Sequence, residues 1–175
     1  MITIDVLKAY DHFLNERQLR LEAIIVGGSA LNLLGYIDRQ TRDVDIIKPE
    51  LSDVLKQASI DFAKTLPYLQ DDWLNNGPAL LGDILPVDWE LRLQMAFEGK
   101  AILLKTLCRS DLLKTKLFAY CDRGTDLFDC IAMSPTVEEL DEAIAWVIRQ
   151  DTNMLWPEHV RKSFDDLKQR LKDGS

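Results

Sequence analysis

Residues 24–47 read IIVGGSALNLLGYIDRQTRDVDII, with two adjacent glycines, a serine and two alternating aspartates in one short segment. The run EAIIV just before the glycines is apolar and suits a buried strand of about five residues. SALNLLG predicts a short helix that opens at Ser29 as N-cap and ends at Gly35. RDVDIIK alternates and is rich in β-branched residues, so it predicts a second strand, which Pro49 ends.

Each half of the segment has two readings. A strand, Gly27-Gly28 and a helix start let backbone N–H groups approach an anion with no Cβ in the way, and Ser29 would add a hydroxyl. The spacing differs from G-x-G-x-x-G, and no Gly-Lys-Ser/Thr follows. The alternative is a tight turn that needs glycine for close packing. On a strand, Asp43 and Asp45 would share a face, because side chains alternate with a rise of about 3.3 Å per residue. Side by side they repel unless a cation or basic group compensates. Mg²⁺ takes one or two carboxylates together with substrate phosphates and waters. The alternative is that Asp43 pairs with Arg39 or Arg42 while Asp45 faces solvent. The fixed order of strand, GGS, helix, strand and DVD favours the joint reading, since it brings the helix start beside both carboxylates.

The rest of the chain supplies the setting. Residues 4–20 place Ile4, Leu7, Tyr10, Phe13 and Leu14 at helical spacing, and 50–65 return to it through Leu51, Val54, Leu55 and Ala58. The middle carries the punctuators Asn76-Gly77-Pro78 and Gly82, and predicts a loop, one or two short strands and a turn at Gly99. Residues 101–107 read as a further strand. From Asp111 the chain turns helical, with breaks near Gly124, Ser134-Pro135 and Trp156-Pro157. The expectation is an α/β core over 1–108, a small mixed sheet with an N-terminal helix, and a helical region over 109–175 packed on it.

Composition narrows the classes. The chain of 175 residues is 47% hydrophobic and 29% charged, and its net charge of −8 comes from 21 basic and 29 acidic residues. That balance argues against coating nucleic acid through a broad basic surface. No apolar run approaches the ~20 residues of a membrane span. The N-terminal MITIDVLKAYDHFLNE has early acids and no apolar h-region, so it does not read as a secretory signal. Cys108, Cys121 and Cys130 are far apart with no CxxC pair, which reads as reduced thiols in a cytoplasm.

SDLLKTKLFAYCDRGTDLFD adds a basic element. At about 100° per residue, Lys116 falls inside the apolar arc of Leu112, Leu113, Leu117 and Tyr120, while Lys114 falls outside it as a surface lysine. A lysine on the core-facing side costs desolvation unless it meets an anion. The competing reading is a side chain that snorkels over apolar surface. Asp126 and Asp129 would share a helix face, and either could cap a helix or pair with Arg123.

Together these residues resemble the nucleotidyltransferase superfamily of polymerase-beta-like fold. GGSALNLLG followed by RQTRDVDI is similar to its bacterial AbiEii-like branch, in which R-x-T-x-D-[IV]-D follows a GGS helix. The lysine with a D-L-x-D element about ten residues on extends the likeness. The resemblance implies that Gly27, Gly28, Ser29 and Thr41 bind an NTP and that Asp43 and Asp45 hold Mg²⁺. It further implies that Lys116 neutralises phosphate charge and that Asp126 orients the lysine or the acceptor. The acceptor implied is RNA, including a tRNA 3′ end, or a protein hydroxyl. A toxin of a toxin–antitoxin or phage-defence system, with a cognate antitoxin partner, is implied in the same way. Many superfamily members carry a third acid on a later central strand. AILLKTL has none, and Asp83, Asp88 and Glu90 are the candidates. The competing function is a nucleotide-sensing or protein-interaction module that retains the fold without catalysis.

Overall fold

Thr3 opens the first helix, α1 (Ile4–Glu16), its hydroxyl accepting from the Val6 N–H. The helix stops short of residue 20 because Gln18 takes a left-handed φ of +56°. In the computed structural model, which describes residues 2–173, the chain divides into two units with the boundary between Leu107 and Cys108.

The first unit continues with β1 (Leu21–Val26), α2 (Gly27–Leu33), β2 (Val44–Lys48), α3 (Asp53–Ala63) and β3 (Leu74–Asn75). After these come α4 (Leu81–Ile84), a 3-10 turn over Trp89–Arg92, β4 (Gln94–Glu98) and β5 (Ile102–Thr106). The strands form one mixed sheet in the order β3-β2-β1-β5-β4, so the α/β expectation holds. β1 lies at the centre, antiparallel to β2 and parallel to β5.

Alternation gives the sheet two unlike faces. Leu21, Ala23 and Ile25 lie opposite Ile102, Leu104 and Thr106, and all six are buried. The other face carries Glu22, Ile24 and Val26 on β1, Leu103 and Lys105 opposite the first two, and Asp45 opposite Val26. Lys105 and Glu22 pair there at 3.3 Å. Between α1, α3 and the start of β3, the Tyr10 ring lies 5.0 Å from both Phe62 and Trp73. Such aromatic pairs add about 0.5–1.5 kcal/mol each beyond their burial.

Asp11 ties α1 to the β4–β5 turn by accepting from the Lys100, Ala101 and Ile102 N–H groups at 3.0, 2.8 and 2.8 Å. Partial desolvation pushes the Asp11 pKa up, but those N–H groups outweigh it and hold the carboxyl below its ordinary value. Its stabilisation is therefore present above the ordinary carboxylate pKa and lost as pH falls through the depressed folded value. We expect Asp11→Ala to cost about 1–2 kcal/mol at neutral pH. In urea titrations, the gap between wild type and variant should close in acid.

The second unit is helical: α5 (Arg109–Arg123), α6 (Leu127–Ala132), α7 (Val137–Ile148) and α8 (Trp156–Asp173). Gly124, at φ +71°, terminates α5. Thr136 and Glu139 form a capping box at the start of α7, and Arg109 binds the same Glu139 at 2.7 Å. Leu112, Leu117, Leu140, Val147, Val160, Phe164 and Leu167 are buried. Among the described residues no helix is long and apolar enough to cross a membrane.

Candidate functional site

β1 ends at Val26, which lies opposite Asp45 at the beginning of antiparallel β2. The turn that follows β1 is thereby placed beside the Asp45 carboxylate. Gly27 has φ +76°, and a Cβ built on it would stand 2.6 Å from Asp45 Oδ2. The dihedral favours glycine there, and any Cβ would push the Asp45 carboxylate aside. A Cβ on Gly28 would meet Thr41 Cγ2 at 2.9 Å and Arg39 Nη2 at 3.4 Å. Gly27, Gly28, Arg39, Thr41 and Asp45 are thus gathered at one end of the β1–β2 pair.

Two details differ from the sequence reading. The helix opens at Gly27, with Val26 as N-cap, and not at Ser29. The left-handed Gly27 turns the chain directly from strand to helix, so Ser29 falls inside the first turn. Ser29 is buried, and its hydroxyl donates to the Val26 carbonyl at 3.3 Å. A phosphate at this turn would accordingly be met by backbone N–H groups, because the Ser29 proton already faces a carbonyl. The Thr41 hydroxyl, in contrast, is buried and has no hydrogen-bond partner among the described residues, while the Thr41 carbonyl accepts from Ile2 at 2.7 Å.

Asp43 immediately precedes β2, so the strand begins two residues later than RDVDIIK suggested. Its side chain is exposed, and among the described residues neither Arg39 nor Arg42 forms an ion pair with it. It lines a cavity of ≈510 Å³ together with Arg42, Tyr68, Gln70 and Asp72. Among the described residues no three His, Cys, Asp or Glu side chains form a metal cage. Asp43 and Asp45 offer hard carboxylate oxygens, and Mg²⁺ with a bound triphosphate needs no more than one or two of these. The donor set fits that ion.

The third-acid candidates lie elsewhere in the unit. Glu90 is bound by Lys48 at 2.7 Å, at the far end of β2 from Asp45. Asp88 takes φ +61° at the start of the 3-10 turn, and Asp83 is exposed on α4. The β5 positions on the Asp45 face are Leu103 and Lys105.

In the second unit, Lys116 faces inward as its position on α5 implied. Its Nζ lies 2.8 Å from Asp126 Oδ1 and 2.7 Å from Asp129 Oδ2, with the three side chains 8%, 14% and 4% exposed. Burial disfavours the ammonium, but the two carboxylates outweigh this and raise the Lys116 pKa above the ordinary lysine value. Burial likewise opposes ionisation of Asp126, and Lys116, Thr125 and Arg123 override it, so its pKa is lowered. Asp129 holds the lysine as closely as Asp126 does. The signal for it was the three-residue spacing that put both acids on one helix face. Lys114 is only 17% exposed and donates to Ser110 Oγ at 3.0 Å, so it is not the surface lysine expected. Burial pushes the Cys121 thiol up to about 11 and the Cys130 thiol up to about 12, which keeps both protonated and unreactive.

No curated protein and no solved structure matches the chain. A family model described as a nucleotidyltransferase of unknown function, DUF6036, matches residues 4–168 and so spans nearly the whole sequence. The strand, glycine turn and paired aspartates therefore sit within a recognised type: the chain belongs to the DUF6036 nucleotidyltransferase family.

Proposed function

We propose that the protein moves a nucleotidyl group from an NTP to a hydroxyl of RNA, including a tRNA 3′ end, or of a protein, with Mg²⁺ as cofactor. The observation that carries this reading is the contact of the Gly27 turn with the Asp45 carboxylate across the β1–β2 pair. Backbone N–H groups for phosphate and carboxylate oxygens for a cation then meet at one point. The choice of acceptors, and a toxin role with a cognate antitoxin, rest on the likeness of GGSALNLLG and RQTRDVDI to the AbiEii-like branch.

In the transfer, the acceptor oxygen bonds to the α-phosphorus, the bond to pyrophosphate breaks, and the hydroxyl proton is released. Asp43 and Asp45 would hold the Mg²⁺, which when bound supplies charge stabilisation at the phosphoryl oxygens. Gly27 and Gly28 present N–H groups to the phosphates, and the buried Thr41 hydroxyl has its hydrogen bond still to make. Lys116 has three ammonium hydrogens and spends two on Asp126 and Asp129. The two acids fix the direction of the side chain, and a phosphate-neutralising role for Lys116 rests on the likeness to the AbiEii-like branch.

Purified protein incubated with labelled NTPs, Mg²⁺ and total RNA should label RNA or protein. Asp43→Asn/Asp45→Asn should abolish the label while the protein stays folded by circular dichroism. One observation favours the second reading, a sensing module: no acid occupies the Asp45 face of β5, and Glu90 is already paired. Mg²⁺-dependent NTP binding without any transfer by wild type would establish that reading and sink the enzymatic one.

A further inference from the structure

Parallel pairing of β2 with β3, in the register Val44 to Leu74 and Asp45 to Asn75, sets the segments leading into these strands side by side. In the second segment Leu69 and Trp73 are buried, and the Trp73 indole N–H donates to the Ser59 carbonyl at 3.1 Å. Those anchors hold the backbone, while Tyr68, Gln70 and Asp72 face outward and are exposed. With Arg42 and Asp43 from the first segment they line the ≈510 Å³ cavity. Among the described residues no hydrogen bond, ion pair or ring contact engages any of these five side chains. A second cavity, of ≈520 Å³, differs: its Asn32 amide already donates to the carbonyls of Ile37 and Arg39.

The volume lies within the range of small-molecule sites, roughly 300–1,000 Å³. Its chemistry is one flat aromatic face, an acceptor-only carboxylate, a two-way amide and a guanidinium that only donates. A free phosphate would meet two carboxylates, and no three-ligand metal cage exists among the described residues. A nucleobase has what these groups lack: a π-face to stack and an edge of mixed donors and acceptors.

We propose that this cavity takes a nucleobase stacked on Tyr68, and that Asp72 selects bases carrying an exocyclic amine over uracil. The proposal rests on the nucleotidyl-transfer reading, since Asp43 on the rim is there a cation-holding carboxylate. Cytosine and uracil differ at position 4 by an amine donor against a carbonyl acceptor. A carboxylate accepts from the first and repels the second. An asparagine in its place offers either group, so the preference should vanish.

The test is calorimetric binding of CTP and UTP with Mg²⁺ in one arm, and of short RNA oligonucleotides ending in C or U in the other. Wild type should bind the cytosine member about tenfold more tightly in one arm, which identifies the nucleotide that fills the cavity. Asp72→Asn should erase that difference. Tyr68→Ala should weaken the cytosine ligand about tenfold, and Tyr68→Phe should not. Equal affinities in both arms, or a preference that survives Asp72→Asn, overturn the proposal while the transfer reading stands. Absence of Mg²⁺-dependent NTP binding by wild type overturns the transfer reading, and this proposal with it.

Discussion

Lys116→Met should lower stability by about 3–5 kcal/mol, because it leaves two buried carboxylates without a cation. The side chains of Asp126 and Asp129 are 14% and 4% exposed, and each lies within 2.8 Å of the ammonium. Methionine conserves most of the volume, so lost packing contributes little. The triple variant Lys116→Met/Asp126→Asn/Asp129→Asn should recover most of the loss, since the cost lies in the stranded charges. Chemical denaturation followed by circular dichroism reads both values. A triple variant no more stable than the single one would show that the lysine acts through packing. The pH dependence has a definite sign. Asp126 has a lowered folded pKa, so its contribution is present above the ordinary carboxylate value and lost as pH falls through the folded one. Lys116 has a raised pKa, so its contribution is present below the ordinary lysine value and lost as pH rises through the folded one. Lys116→Met should flatten both limbs of the stability profile.

The parts legible in the sequence are those set by local pattern. EAIIV was readable as a strand, RDVDIIK as one that starts two residues too early, and the glycine turn and Asp45 as neighbours, because strand periodicity and glycine act within a few residues. The inward direction of Lys116 followed from helical geometry alone. Non-local pairing was beyond reach. β3 has only two residues and exists because Val44 and Asp45 give Leu74 and Asn75 a partner; no window around residue 74 contains that information. The cavity group of Tyr68, Gln70 and Asp72 depends on the same pairing. The helix start moved from Ser29 to Gly27 for a related reason. Ser29 has the composition of an N-cap, but the left-handed Gly27 beside Asp45 had already turned the chain. Of the acids, Asp129 was visible by spacing, whereas the Lys48 partner of Glu90 lies 42 residues away in the chain.

Gly27→Ala and Gly35→Ala should separate backbone strain from the carboxylate contact. Gly27 and Gly35 have nearly the same left-handed φ, +76° and +75°. Each substitution therefore meets the same steric penalty, about 1–2 kcal/mol. Their surroundings differ. Among the described residues nothing lies within 4 Å of a Cβ on Gly35, whereas a Cβ on Gly27 would stand 2.6 Å from Asp45 Oδ2. That separation is shorter than any real Cβ contact, so the carboxylate or the turn must move. A displacement of about 1 Å in reacting groups can cost around 100-fold in rate. Gly35→Ala should consequently lose stability with little loss of nucleotidyl transfer. Gly27→Ala should lose a similar amount of stability and about 100-fold in transfer, with weaker Mg²⁺-dependent NTP binding. Thermal unfolding, label transfer and calorimetry on the two variants give the three readouts. Equal effects of both substitutions on transfer would mean that the Gly27–Asp45 contact is structural only. Loss confined to Gly27→Ala ties the aspartate and the glycine turn to the same bound nucleotide.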